Sequence, residues 1–208
     1  SPFATTIVSN IYEQNSILYI TPTSNSNTLT NLRFEQVFRM LPNNNARGEQ
    51  LARFIHNLGY RTVALLHDRD QTNYEISDAF ASTALDELGM GIALQRSFFR
   101  NLGERAITKL AVELYRSRHK FDAVVLITND DMGLRLYREL RLRGTQKPVF
   151  GIETMDTPAF WKALPAIHAD YAPQADLYLP TIFDDRSIFA RQFLDRFEAR
   201  YAMPPDHQ

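Results

Sequence analysis

Ala123-Val124-Val125-Leu126-Ile127-Thr128 carries a single polar side chain, at its last position. A run this apolar suits a strand covered on both faces, the usual condition of a central strand in a parallel sheet. The flanking segments supply the cover. Before it, residues 104–117 place Ile107, Leu110, Ala111 and Leu114 on one helical face; after it, a helix through Leu134, Tyr137 and Leu140 stops at Gly144. Further out, strands are expected at 62–67, 92–98 and 148–151. Between them lie a helix with Leu51, Phe54, Ile55 and Leu58 on a single buried stripe, closed by Gly59, and a helix from about 74 to 88 closed by Gly89. Repeated β-α units predict an α/β fold, a parallel sheet flanked by helices. In such sheets, ligands bind in the crevice outside the carboxyl ends of the strands.

The outer segments follow a different rhythm. Residues 5–15 predict a helix with Ile7, Val8, Ile11 and Tyr12 on one side, followed by a buried strand Ile17-Leu18-Tyr19-Ile20. Residues 21–28 are small, polar or Pro, and read as a loop placed directly after that strand. Phe38-Arg39-Met40-Leu41-Pro42 is a short extended stretch leading into Asn43-Asn44-Asn45, good helix N-cap chemistry. Near the end, 177–182 reads as a strand interrupted by Pro180. The helix after Asp184-Asp185 spaces Phe189, Phe193, Phe197 and Tyr201 four apart, a stripe expected to form a buried face, and Pro204-Pro205 ends it.

Composition narrows the function. The chain has 208 residues, 44% hydrophobic and 23% charged, enough for a sizeable core, and its net charge of -1 argues against a nucleic-acid partner. Arg outnumbers Lys, but these residues are interspersed with acids along helices and read as solvated surface. The absence of Cys excludes thiol catalysis, disulfides and Cys-based zinc sites. No apolar run approaches the ~20 residues of a membrane span, so no direct membrane insertion is expected. Ser1-Pro2-Phe3 does not look like the start of a signal peptide.

Catalytic and metal-binding patterns do not assemble. His56, His67, His119, His168 and His207 lack metal-ligand spacing, and Asp68 and Asp70 are not followed by the Gly and distal Glu of a calcium loop. Gly89-Met90-Gly91 is a helix stop, and neither a nucleophile elbow nor a phosphate loop is present. Asp130-Asp131 and Asp184-Asp185 read as acids at helix starts. The expectation is a non-enzyme with no cofactor and no metal. What remains is a set of polar residues at strand carboxyl ends: Tyr74, Asn129 and Glu153. Glu153 follows the apolar Val149-Phe150-Gly151-Ile152 and needs either a cationic partner or water. It also reads as a first-turn acid ahead of Thr157-Pro158.

Ile11-Tyr12-Glu13, the segment Ile17 through Asn25, Leu29-Thr30, Phe38-Arg39, Val63-Ala64-Leu65-Leu66-His67-Asp68, Asp122-Ala123-Val124-Val125, Gly151-Ile152-Glu153 and the tail from Phe193 to Asp206 resemble the type I periplasmic solute-binding proteins for leucine, isoleucine and valine. The resemblance rests on order and spacing over nearly the whole chain. It implies two lobes joined by three crossings, with the ligand clamped between them. Residues 1–40 would be a partial first lobe and crossing, 41–176 a complete second α/β lobe, and 177–208 a crossing and a helix returning to the first lobe. The stripe on that helix would then pack on residues 1–32, pack on another chain, or be poorly ordered.

The same resemblance implies that the Thr23-Ser24-Asn25 loop holds a ligand carboxylate and that Glu153 meets its ammonium. Tyr74 (after a one-residue slip) and Asn129 would fall near positions that cover the ligand. Asn25 stands where Thr is frequent, and Pro2 where a carboxylate-binding Ser is usual. The function implied is extracytoplasmic (periplasmic or extracellular) binding of a small polar solute, an amino acid or similar, with hinge closure and delivery to a membrane permease of the ABC type. The alternatives are a ligand-sensing ectodomain with a membrane-anchored signalling partner and, from another class, a cytosolic α/β enzyme using the same crevice.

Overall fold

The computed structural model describes residues 2–171, 176–181 and 186–203. Five parallel strands form the main sheet: β3 (Thr62–Asp68), β4 (Gly91–Phe98), β5 (Ala123–Ile127), β6 (Val149–Phe150) and β7 (Leu177–Tyr178), in the order β4-β3-β5-β6-β7. Strands β3 and β5 pair in parallel from Val63↔Ala123 to His67↔Ile127. Alternate residues of these unbroken apolar runs feed two separate cores. Ala64, Leu66, Val124 and Leu126 face one layer, which is closed by α5 (Glu104–Ser117), α6 (Asp130–Leu142) and α7 (Pro158–Tyr171). Val63, Leu65, Val125 and Ile127 face the other, closed by α3 (Asn44–Asn57) and α4 (Gln71–Ser82). The period of two along a strand is what lets a single run serve both layers. Ile107, Leu110, Ala111 and Leu114 are buried as expected.

Local signals set the helix limits. Asn43 caps α3 by accepting from the Ala46 N–H at 2.8 Å, and the chain leaves α3 through Gly59 at φ 94°, a left-handed conformation that suits glycine. Gly48 decides how closely α3 approaches α4: a Cβ there would lie 2.3 Å from the Ile76 carbonyl oxygen. Helix α4 begins at Gln71, three residues ahead of the expected start, because Asp70 caps it through the Thr72 N–H, and it continues as a wider helical turn at Thr83–Glu87. Helix α7 is an element for which the sequence gives no expectation above; it contains Pro165, and its Phe160, Leu164 and Ile167 are buried. Strand β7 adds to the main sheet just past position 176, pairing with β6 through Val149↔Leu177 and Phe150↔Tyr178.

A second, smaller sheet pairs β1 (Tyr19–Thr21) with β2 (Val37–Arg39), accompanied by α1 (Pro2–Gln14) and the short α2 (Thr28–Asn31). Here the expected burial is corrected. Ile17, Leu18 and Ile20 are 47%, 60% and 54% exposed, because two three-residue strands carry no helix layer on both faces among the described residues. Helix α8 (Ile188–Tyr201) forms with Ser187 as its cap, but its stripe is not a buried face. Phe189, Phe193 and Tyr201 are exposed and the rings mainly touch one another, Phe197 lying 4.6 Å from Tyr201. Phe54 and Leu58, expected on the buried stripe of α3, are also half exposed, since Phe54 reaches past the sheet toward β6 and β7.

The reading of Arg as solvated surface fails at two positions. Arg47 turns inward and pairs with Glu153. Arg141 is almost wholly buried, stacks 4.5 Å above the Tyr137 ring, and donates to the carbonyls of Thr145 at 2.6 Å, Lys147 at 2.8 Å and Asp176 at 3.4 Å. It ties the end of α6 to the entries of β6 and β7. No described helix is long and apolar enough to cross a membrane. Asp184, Asp185, Pro204, Pro205 and His207 lie outside the described residues, as does the far end of the strand expected to reach 182.

Candidate functional site

Because every strand of the main sheet runs the same way, its carboxyl ends deliver His67-Asp68, Phe98, Thr128-Asn129 and Gly151-Ile152-Glu153 to one edge. Asp68 organises that edge. Its fully buried carboxylate accepts from Thr128 Oγ1 at 2.8 Å, Asn73 Nδ2 at 2.9 Å, the Asp70 N–H at 3.0 Å and Arg100 Nε at 3.1 Å. Burial works against its charge, but the hydrogen bonds from Arg100, Asn73, Asp70 and Thr128 prevail and hold the carboxyl below its ordinary range. One side chain thus welds the ends of β3 and β5, the start of α4 and the turn after β4. His67, buried beside it, places Nδ1 2.9 Å from the Asp68 carbonyl oxygen.

The loop after β1 approaches the same edge from the other side. Ser24 N–H donates to Thr21 Oγ1 at 3.2 Å, and Arg39 holds the Ser26 carbonyl at 2.9 Å. The Asn25 carbonyl accepts from the Asn44 N–H at 3.0 Å, while Asn27 and Asn45 bond each other. The loop is therefore clamped to the start of α3 rather than left as a plain connector. Ser24 is buried, and its Oγ has no hydrogen-bond partner among the described residues. A buried hydroxyl in that state costs free energy unless something else satisfies it.

Two adjoining cavities share Asn25. The polar one, about 310 Å³, has Thr23, Ser24 and Asn25 on one wall and Asp70, Asn73, Arg100, Asn129 and Thr154 on the other. The larger, about 650 Å³, is mostly apolar, walled by Phe54, Phe150, Ile152, Trp161 and Tyr178, with Arg47 and Glu153 as its charged corner.

Of the residues singled out from the sequence, Thr23, Ser24, Asn25 and Asn129 come together around the polar cavity. Asn129 also caps α6, its Oδ1 accepting from the Met132 N–H at 3.3 Å. Glu153 opens a single helical turn, Glu153–Met155, and lines the larger cavity, where the cationic partner its apolar setting requires is Arg47 of α3. Burial lowers the Arg47 guanidinium to about 10, which leaves it charged at neutral pH. Tyr74 is not brought in. It is 53% exposed, packs toward His67 at 6.2 Å and borders neither cavity, while its neighbour Asn73 points inward. The reason is the earlier start of α4, which turns position 73 toward Asp68.

Sequence reasoning missed Arg47, Arg100 and Asn73. The signal that could have found them is the buried carboxylates: Asp68 and Glu153, each closing an apolar run, demand donors, and these side chains supply them. No group of three or more His, Asp or Glu among the described residues is arranged to hold a metal ion.

Residues 1–150 match the model of the receptor family ligand binding region. Among curated proteins, the leucine-, isoleucine-, valine-, threonine-, and alanine-binding protein of Pseudomonas aeruginosa is 24% identical over 195 residues, which cover 93% of this chain and 50% of that protein. Among solved structures, an ABC transporter substrate-binding protein from Desulfitobacterium hafniense superposes with a TM-score of 0.72 at 18% identity, and a leucine binding protein from Thermotoga maritima with 0.71 at 20%. In both, the match covers 95% of this chain and 54% of the other. The chain spans about half the length of these relatives. At such identities the structural likeness gives the fold, a parallel sheet flanked by helices as in a lobe of the type I periplasmic binding proteins.

Proposed function

The chain belongs to the receptor family ligand binding region, and from that premise we propose that it serves in an extracytoplasmic solute-binding protein that closes on a small polar solute, an amino acid or a similar acid. The observation that carries this reading is the Ser24 hydroxyl, buried at the wall of the polar cavity without a partner among the described residues. It offers a donor to a solute carboxylate, on a loop whose Ser24 N–H is already held by Thr21. Thr23 and Asn25 flank it, and Asn129 and Thr154 face it across the cavity. The relatives named for amino-acid binding and for ABC transport support the solute class, and with it a membrane permease as partner and a periplasmic or extracellular location. We assign residues 1–40 and 177–208, apart from β7, to one jaw and the crossings, and the five-stranded unit to the other. Binding, without chemistry on the solute, is the role. A sensing ectodomain is the second reading, favoured by the receptor description of the matching family.

Calorimetry of the intact protein against amino acids and the corresponding organic acids tests the proposal. Ser24→Ala should weaken a bound acid roughly tenfold to a hundredfold, the range for losing a hydrogen bond to a charged group. No binding by any acid in the panel, or full affinity after Ser24→Ala, would overturn it.

A further inference from the structure

We propose that this site selects small organic acids that lack a charged α-amine, because Arg47 already occupies Glu153, the carboxylate on which such an amine would be read. The inference rests on the solute-binding reading above and narrows its ligand class.

The Arg47–Glu153 pair is nearly dry, its side chains only 11% and 15% exposed. Arg47 is also built into its surroundings. Its Nη1 donates to Asn44 Oδ1 at 2.8 Å, Asn44 Nδ2 donates to Glu75 at 2.8 Å, and the Asn44 N–H holds the Asn25 carbonyl. The guanidinium is thereby fixed to α3, α4 and the Thr23–Asn25 loop at once.

A solute ammonium has two ways to reach Glu153. It can displace Arg47, which strands a buried guanidinium without its counter-charge, the situation that makes breaking a buried ion pair costly. Or it can share the carboxylate, which sets two cations side by side in a low-dielectric corner. A solute without the amine leaves the pair intact. Such a solute keeps its carboxylate for the Ser24 loop and lays its apolar part against Phe54, Phe150, Trp161 and Tyr178, the walls of the cavity that Arg47 and Glu153 close.

Matched pairs measured by calorimetry on the intact protein decide the matter: leucine against 4-methyl-2-oxopentanoate, and phenylalanine against phenylpyruvate. The deaminated member of each pair should bind at least about tenfold tighter, since the amine must disrupt or crowd a buried pair. Arg47→Met, which frees Glu153, should shrink that ratio or reverse it. Equal or tighter binding of the amino acids by the unmodified protein would overturn the selectivity and leave solute binding standing. An unchanged ratio in a folded Arg47→Met protein would overturn it as well. Failure of every member of both series to bind would remove the solute-binding reading and this inference together. The comparison in the unmodified protein decides even where the variant does not fold.

Discussion

Ala123–Ile127 and Ile17–Ile20 are comparably apolar in sequence, yet the first is fully buried and three of the four residues in the second are about half exposed. The same contrast separates Phe80, wholly enclosed between α4 and the sheet, from Phe189 on α8, which is 80% exposed. A hydrophobic run states a demand for cover; whether cover exists is decided elsewhere. In the five-stranded unit, the inner strands β3 and β5 meet helices on both faces because the segments on either side of them in sequence fold back over the sheet. In the β1–β2 pair and α8, the apolar faces have no comparable layer among the described residues. Stability should therefore be concentrated in one region of the molecule.

The largest effect should come from testing that concentration directly. Phe80→Ala should cost about 3–5 kcal/mol in urea unfolding, the range for truncating an enclosed aromatic, while Phe189→Ala in the same assay should stay within about 0.5 kcal/mol. Equal losses would mean that α8 is covered after all and would erase the contrast.

Next in size is the seam that holds the thin edge of the main sheet. Arg141→Met removes the donor shared by the Thr145, Lys147 and Asp176 carbonyls and should destabilise by roughly 2–3 kcal/mol. Arg141→Lys should rescue little of it, because a point ammonium cannot span the same acceptors as a planar fork. Faster hydrogen exchange confined to β6 and β7 would place the loss at that edge, and uniform loss across the sheet would argue against it.

The smallest effect concerns the rim. The Asp68 carboxyl lies below its ordinary value when folded, so its contribution is complete above the unfolded value of about 4 and is lost as pH falls through the folded one. Asp68→Asn, nearly isosteric, should flatten the acid limb of the stability profile below about pH 4 and lower the plateau above it. An acid limb of unchanged slope would show that the network of Arg100, Asn73 and Thr128 does not depend on the charge.

Much of the fold was legible because it depends on local pattern. The β-α rhythm, the cap at Asn43, the stops at Gly59, Gly89 and Gly144, and the buried face of α5 all follow from residues within one or two turns of each other. Helix α7, with Pro165 inside it, has no counterpart among the expected elements, and Phe54 was misplaced because its spacing on α3 is that of a core residue while its ring neighbours are Phe150 and Tyr178 of β6 and β7. For the site, the edge was legible and the partners were not. Thr23, Ser24 and Asn25, singled out by the resemblance, and Asn129, singled out at a strand end, line one polar cavity, whereas Tyr74 stands outside it because α4 begins a few residues early.

The sequence by itself determined the fold class, the direction of the strands and which residues gather at their carboxyl edge, since these follow from periodicity and capping along the chain. Only the tertiary structure decided which charges meet. Arg47 and Glu153 are 106 positions apart, and Asp68 draws donors from positions 73, 100 and 128. An arginine on a helix looks the same in sequence whether it faces water or a buried carboxylate. The pairing is set by the distance across the folded crevice, where a charge without water must find its opposite.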